Sequence, residues 1–123
     1  MTIERFEDLE VWQFSRILVK EIYLLTENKY FQKDFGLASQ LQRSSVSIMA
    51  NIAEGFERKS KKEFMQFLYI SKASCGELRS HLYILLDLNL IDKLKFNELY
   101  LSVEKISKSL SGFIKYLNQN DFK

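Results

Sequence analysis

Apolar residues recur at steps of three and four along almost the whole chain. Val11, Phe14, Leu18, Ile22 and Leu25 make the first such series, and at about 3.6 residues per turn this spacing lines one face of a helix. Leu41, Ser45, Ile48, Ile52 and Phe56 make the second, and Phe64, Phe67, Ser71, Ser74, Leu78, Leu82 and Leu85 the third. The fourth, Leu99, Val103, Ile106, Leu110, Phe113 and Leu117, alternates steps of four and three without a fault, the spacing of a left-handed bundle seam. The pattern breaks around Asn28 to Asp34, Arg58 to Ser60 and Asn89 to Asp92. It therefore predicts helices over about 7–27, 35–58, 61–88 and 93–118.

Helices joined this tightly bury their apolar faces by packing antiparallel, side by side. The expected fold is all-α: a single domain over 1–123 forming a left-handed, antiparallel up-down four-helix bundle. Local signals agree. Ser60-Lys61-Lys62-Glu63 reads as a capping box opening the third helix, and Asp92 as the cap of the fourth. Gly55 is expected to loosen the last turns of the second helix, and the chain beyond about Asn118 to fray.

Composition narrows the chemistry. With 123 residues and no Pro, one core can bury roughly two thirds of the unfolded surface without staples. The lone Cys75 excludes an internal disulfide and a multi-cysteine zinc site. It lies near the core face and reads as a small apolar filler. His81 is the only imidazole, so any Ser-His or Cys-His catalysis would have to pass through it. Glu77 stands one turn before it, but no Glu-x-x-His set from several helices is present. His81 is expected at the surface or an interface. No catalytic residue, metal ligand or cofactor is expected. Neither a leader sequence nor about 18 consecutive apolar residues appears, so a cytoplasmic, membrane-free protein is expected.

The net charge is only +2, but its distribution is uneven. Residues 31–62 hold six bases against three acids, and Arg58-Lys59-Ser60-Lys61-Lys62 places four bases in five positions. With Arg43 they form a candidate nucleic-acid-binding set: Arg43, Arg58, Lys59, Lys61 and Lys62. The alternative is a solvated corner between helices. Gln40, Arg43, Ser47, Asn51, Glu54 and Arg58 make a polar stripe on the second helix, read as a solvated face, a polar network between subunits or a phosphate-contacting strip.

Two helices carry more apolar surface than one core uses. Trp12, Val19 and Tyr23 form a second stripe on the first helix. Tyr69, Ala73, Gly76, Ser80 and Tyr83 form one on the third, with small residues between aromatic ends. One Trp, six Tyr and ten Phe are hard to hide in so small a monomer. Both stripes are therefore candidate subunit contacts, and two different patches per chain suit a ring.

Three strings then go together: Phe6-Glu7-Asp8-Leu9-Glu10-Val11-Trp12-Gln13, Phe35-Gly36-Leu37 with Gln40-Leu41, and Ser47-Ile48-Met49-Ala50-Asn51-Ile52-Ala53-Glu54-Gly55. With Glu63-Phe64, Phe67-Leu68 and Ser74-Cys75-Gly76-Glu77-Leu78 they make the chain resemble the four-helix-bundle proteins encoded in intervening sequences of 23S ribosomal RNA genes. The resemblance implies an up-down bundle and assembly into a ring-like homopentamer. It also implies similarity to the accessory protein of diversity-generating retroelements, which works with a reverse transcriptase and binds nucleic acid, and it brings no enzymatic activity. This chain departs from the family pattern where Gln42 replaces a base that commonly precedes Arg43. Two functional classes follow: an oligomer that holds RNA or DNA backbone, or a scaffold that docks a partner protein such as a polymerase.

Overall fold

The computed structural model describes residues 3–120. Four helices, α1 (Glu10–Leu25), α2 (Phe35–Phe56), α3 (Lys61–Asp87) and α4 (Lys93–Gln119), form an up-down bundle with no strand among the described residues. Consecutive helices are neighbours and α4 closes back on α1, with α2 against α3 the most extensive contact and α1 against α4 the least. Fraying is expected after about Asn118; α4 holds through Gln119, and the chain beyond 120 lies outside the described residues.

Each helix starts where a side chain caps it, with one exception. The Asp34 carboxylate accepts from the Leu37 amide at 3.1 Å, Ser60 Oγ from the Glu63 amide at 3.0 Å, and Asp92 from the Lys95 amide at 2.7 Å. These satisfy amides that the helices leave open at their N-termini. α1 has no side-chain cap and begins at Glu10 rather than near residue 7. Phe6–Asp8 forms a separate 3₁₀ turn, and Leu9 takes extended backbone that delivers its side chain to the core. Gln13 Nε2 donates to the Glu7 carbonyl at 2.8 Å and ties the turn to the helix.

α3 stops in a motif that the sequence break alone does not reveal. Asn89 adopts φ 58°, and the amides of Asn89 and Leu90 donate to the carbonyls of Leu86 and Leu85 at 3.0 and 2.9 Å. This pair of bonds is a Schellman closure, and Asn tolerates the left-handed conformation it needs.

The core consists largely of the expected series: Leu18, Ile22, Leu41, Ile48, Ile52, Leu78, Leu82, Leu85, Leu99, Ile106 and Leu110 are all fully buried. The buried Ser15, Ser44 and Ser45 satisfy themselves on the preceding turn, Ser15 by donating to the Val11 carbonyl at 2.7 Å. Gly55 overturns its expected role. A Cβ there would stand 2.7 Å from Phe67 Cβ and 2.9 Å from Phe64 Cδ1. It therefore permits the close approach of α2 and α3, and α2 stays helical past it to Phe56. Two edge-to-face pairs, Phe56 with Phe64 and Phe64 with Phe113, complete this end of the core.

Candidate functional site

The corner between α2 and α3 carries the basic run, but its bases are not equivalent. Arg58 pairs with Glu54 at 3.2 Å and lies over the Phe67 ring at 4.8 Å. Lys61 Nζ donates to the Asn120 carbonyl at 3.5 Å. Lys59 and Lys62 are exposed. Arg43 does not join them: fifteen positions before Arg58 on α2, it stands about 22 Å up the helix at 1.5 Å per residue. Glu57 and Glu63 share the corner, and the antiparallel topology brings the acidic start of the chain, Glu7, Asp8 and Glu10, to the same end. The bases of the corner are thus offset by nearby acids, of which Glu7 and Asp8 are paired with Arg5 at 3.4 and 3.9 Å, and what favours an anion here is the position of Lys59 and Lys62 beside the open first-turn amides of α3.

The polar stripe of α2 splits in two. Ser47 and Asn51 turn into the α2–α3 seam, where Ser47 Oγ and Ser74 Oγ lie 2.8 Å apart and Asn51 Nδ2 donates to the Ser47 carbonyl at 2.8 Å. Ser71 Oγ donates across the same seam to the Ile48 carbonyl at 2.9 Å. These groups form a network within one chain. Gln40, Arg43, Glu54 and Arg58 remain outside. Gln42, at the departure from the family pattern, donates from Nε2 to Thr26 Oγ1 at 2.9 Å and so ties α2 to the end of α1.

His81 is half-buried, and its Nε2 has no solvent and no hydrogen-bond partner among the described residues. It follows Ser74 by seven positions, on the side of α3 that faces α2. Cys75 is fully buried. Burial pushes its thiol up to about 12, against a smaller opposite pull from Arg79 and Lys72, so it stays protonated and a poor nucleophile. No group of three or more His, Cys, Asp or Glu side chains among the described residues is placed to hold a metal. An apolar cleft of about 390 Å³ between the α1 start and the α4 end, lined by Leu9, Val11, Phe113 and Tyr116 among others, offers no converging set of reactive groups.

The two apolar stripes fare differently. Trp12 is a correction: it is only 8% exposed, packed edge-to-face on Phe6 at 5.2 Å. Its place beyond the Val11 face covers the joint with the N-terminal turn instead of facing outward. Val19 is half-buried and Tyr23 exposed, so little of the α1 stripe remains outside. The α3 stripe does face outward. Tyr69, Ala73, Ser80 and Tyr83 are exposed and Gly76 half-buried, with Ile84 and Leu88 extending the face. Tyr83 packs one side on Phe96, centroids 4.9 Å apart.

Sequence reasoning missed a third apolar face. Ile17 and Leu24 on α1 are 59% and 55% exposed, and Leu94 and Leu101 on α4 are 72% and 61% exposed. They border the least packed seam of the bundle. Each pair is seven residues apart, a heptad signal present in the sequence but overshadowed by the core series. Gly76 and Gly112 add a related observation. A helix-interior glycine costs about 0.5–1 kcal/mol relative to alanine, yet a Cβ at Gly112 would meet nothing within 4 Å, and one at Gly76 only the end of Arg79 at 3.6 Å. Neither is needed for packing inside the chain.

Fold and surface together define a four-helix bundle with exposed apolar faces. The family described as 23S rRNA-intervening sequence protein matches residues 7–112, and the chain belongs to that family. Among solved structures it is similar to a protein of unknown function from the S23 ribosomal protein family of Bacteroides thetaiotaomicron. The two share 28% identity over 85% of this chain and 98% of that one, with a TM-score of 0.78. Among curated proteins none matches. No helix among the described residues is long and apolar enough to cross a membrane.

Proposed function

We propose that this chain is a non-catalytic, self-associating helical bundle whose assembly, not the single protomer, is the working unit. The outward apolar face of α3 carries this reading. Tyr69, Ile70, Tyr83, Ile84 and Leu88 are each more than 40% exposed, and such a run on a small domain marks a protein contact. The family resemblance favours a five-membered ring. Static light scattering tests the reading: a multiple of the protomer mass is expected at tens of micromolar, and a monomer refutes it.

Within such an assembly, nucleic-acid backbone is the favoured partner. Lys59 and Lys62 project beside the α3 N-terminus, and a patch too weak in one copy gains from repetition around a ring. Binding is then largely independent of sequence and falls with salt, with a log–log slope of about −0.9 per duplex phosphate neutralised. Changing Lys59, Lys61 and Lys62 together to Gln keeps the Ser60 cap and should reduce that slope. Filter binding to mixed RNA and DNA decides. Retention unchanged by the triple substitution, or absent at low salt, hands the role to a scaffold that docks a partner protein, a reading supported by the acids that share the corner.

A further inference from the structure

The joint between α1 and α2 holds another cleft, of about 490 Å³, at the end of the bundle away from the basic corner. Phe31 and Ala38 in its lining are buried, whereas Phe35, the first residue of α2, is 75% exposed. Phe35 belongs to neither apolar face described above. An aromatic ring left in water on the wall of a ligand-sized cleft is a stacking surface.

The polar lining has its hydrogen-bonding directions fixed from within the chain. Thr26 Oγ1 donates to the Tyr23 carbonyl at 3.0 Å, so toward Gln42 it can only accept. That bond holds Gln42 Nε2 at 2.9 Å and leaves Gln42 Oε1 as an acceptor. The Tyr30 amide donates to Asn28 Oδ1 at 2.9 Å, which leaves Asn28 Nδ2 as a donor. Among the described residues of the lining the one charged side chain is Glu27, a further acceptor.

We propose that this cleft takes the adenine nucleoside moiety, its ring stacked on Phe35 and its amino-bearing edge on Gln42 Oε1 and Asn28 Nδ2. Adenine presents an amino donor beside a ring-nitrogen acceptor, the complement of an acceptor and a donor held in fixed directions. The Glu27 carboxylate suits the hydroxyls of the attached ribose. A lining with an acid and no base fits the neutral part of a nucleotide and excludes its phosphate. Lys29 and Lys33, exposed and next in sequence to lining residues, leave a phosphate to the rim. The nearby Asp34 is engaged by the Leu37 amide and the Tyr30 hydroxyl. The site is complete within one chain, so it stands apart from the self-association and from the basic corner proposed above.

Isothermal titration calorimetry on the full chain tests it, with adenosine, inosine and single-stranded oligo(A) as titrants. Adenosine should bind saturably at one site per chain. Inosine, which replaces the amino donor by a carbonyl facing Gln42 Oε1, should bind about 10-fold more weakly. Phe35→Ala should weaken adenosine by about 10-fold or more, the loss of one stacked base, with helix content and melting unchanged because the ring lies outside the core. Phe35→Trp should restore binding. The triple Gln variant at Lys59, Lys61 and Lys62 should bind adenosine as the unmodified chain does, which keeps this site distinct from backbone binding at the basic corner. In that triple variant, oligo(A) binding tighter than adenosine assigns the site to a base within a strand, and adenosine binding as tightly assigns it to a free nucleoside. No heat from either titrant at millimolar concentration, binding undiminished in Phe35→Ala, or inosine binding equal to adenosine overturns the inference.

Discussion

Cys75 shows how burial decides chemistry at the scale of one residue. Its protonated state is favoured in the folded chain, whose thiol sits near 12 against an ordinary 9.0. A disulfide reagent at pH 8 should therefore label the native protein far more slowly than the protein in denaturant. The same shift has a sign for stability. The folded state holds the proton that the unfolded state releases, so Cys75 contributes fully below pH 9 and loses its contribution as pH rises toward 12. Denaturant melts of the unmodified chain and Cys75→Ala should converge over that window. Equal melt differences at pH 7 and pH 11 would contradict the burial argument. Asn89 makes a backbone counterpart: with φ at 58°, Asn89→Val should cost about 1–2 kcal/mol and Asn89→Gly nothing.

At the scale of the element, the glycines separate packing inside the chain from packing outside it. Gly55→Ala should destabilise by about 1–3 kcal/mol, because the added methyl meets Phe67 and Phe64 across the α2–α3 contact. Gly76→Ala should instead raise the melting temperature of the protomer, gaining about 0.5–1 kcal/mol of helix propensity without a clash. Thermal unfolding by circular dichroism separates the two, and a stabilising Gly55→Ala would remove that close approach. Helix positions were legible from spacing because the core series runs almost uninterrupted from Leu41 to Leu117. The details that escaped depend on tertiary neighbours. Spacing could not tell that Leu9 leaves the helix to enter the core, or that Trp12 turns onto Phe6. Nor could it tell that Ser47 and Asn51, polar by composition, face α3.

For the whole molecule, the basic run was visible as sequence, but its strength was not. Arg58 is engaged by Glu54 and Phe67, and Arg43 stands too far up α2 to add to the corner. The α1–α4 face was hidden for the opposite reason, since its two heptad pairs lie on helices distant in sequence and meet only when the bundle closes. The fold itself hangs on the shared core: Leu110→Asp, which buries an unpaired carboxylate, should cost several kcal/mol and abolish cooperative folding. The central claim is that exposed apolar faces make this chain an assembling unit. Light scattering coupled to size exclusion at tens of micromolar tests it most directly. A mass that is a defined multiple of 14.6 kDa is expected, and a single 14.6 kDa species across that range would contradict it.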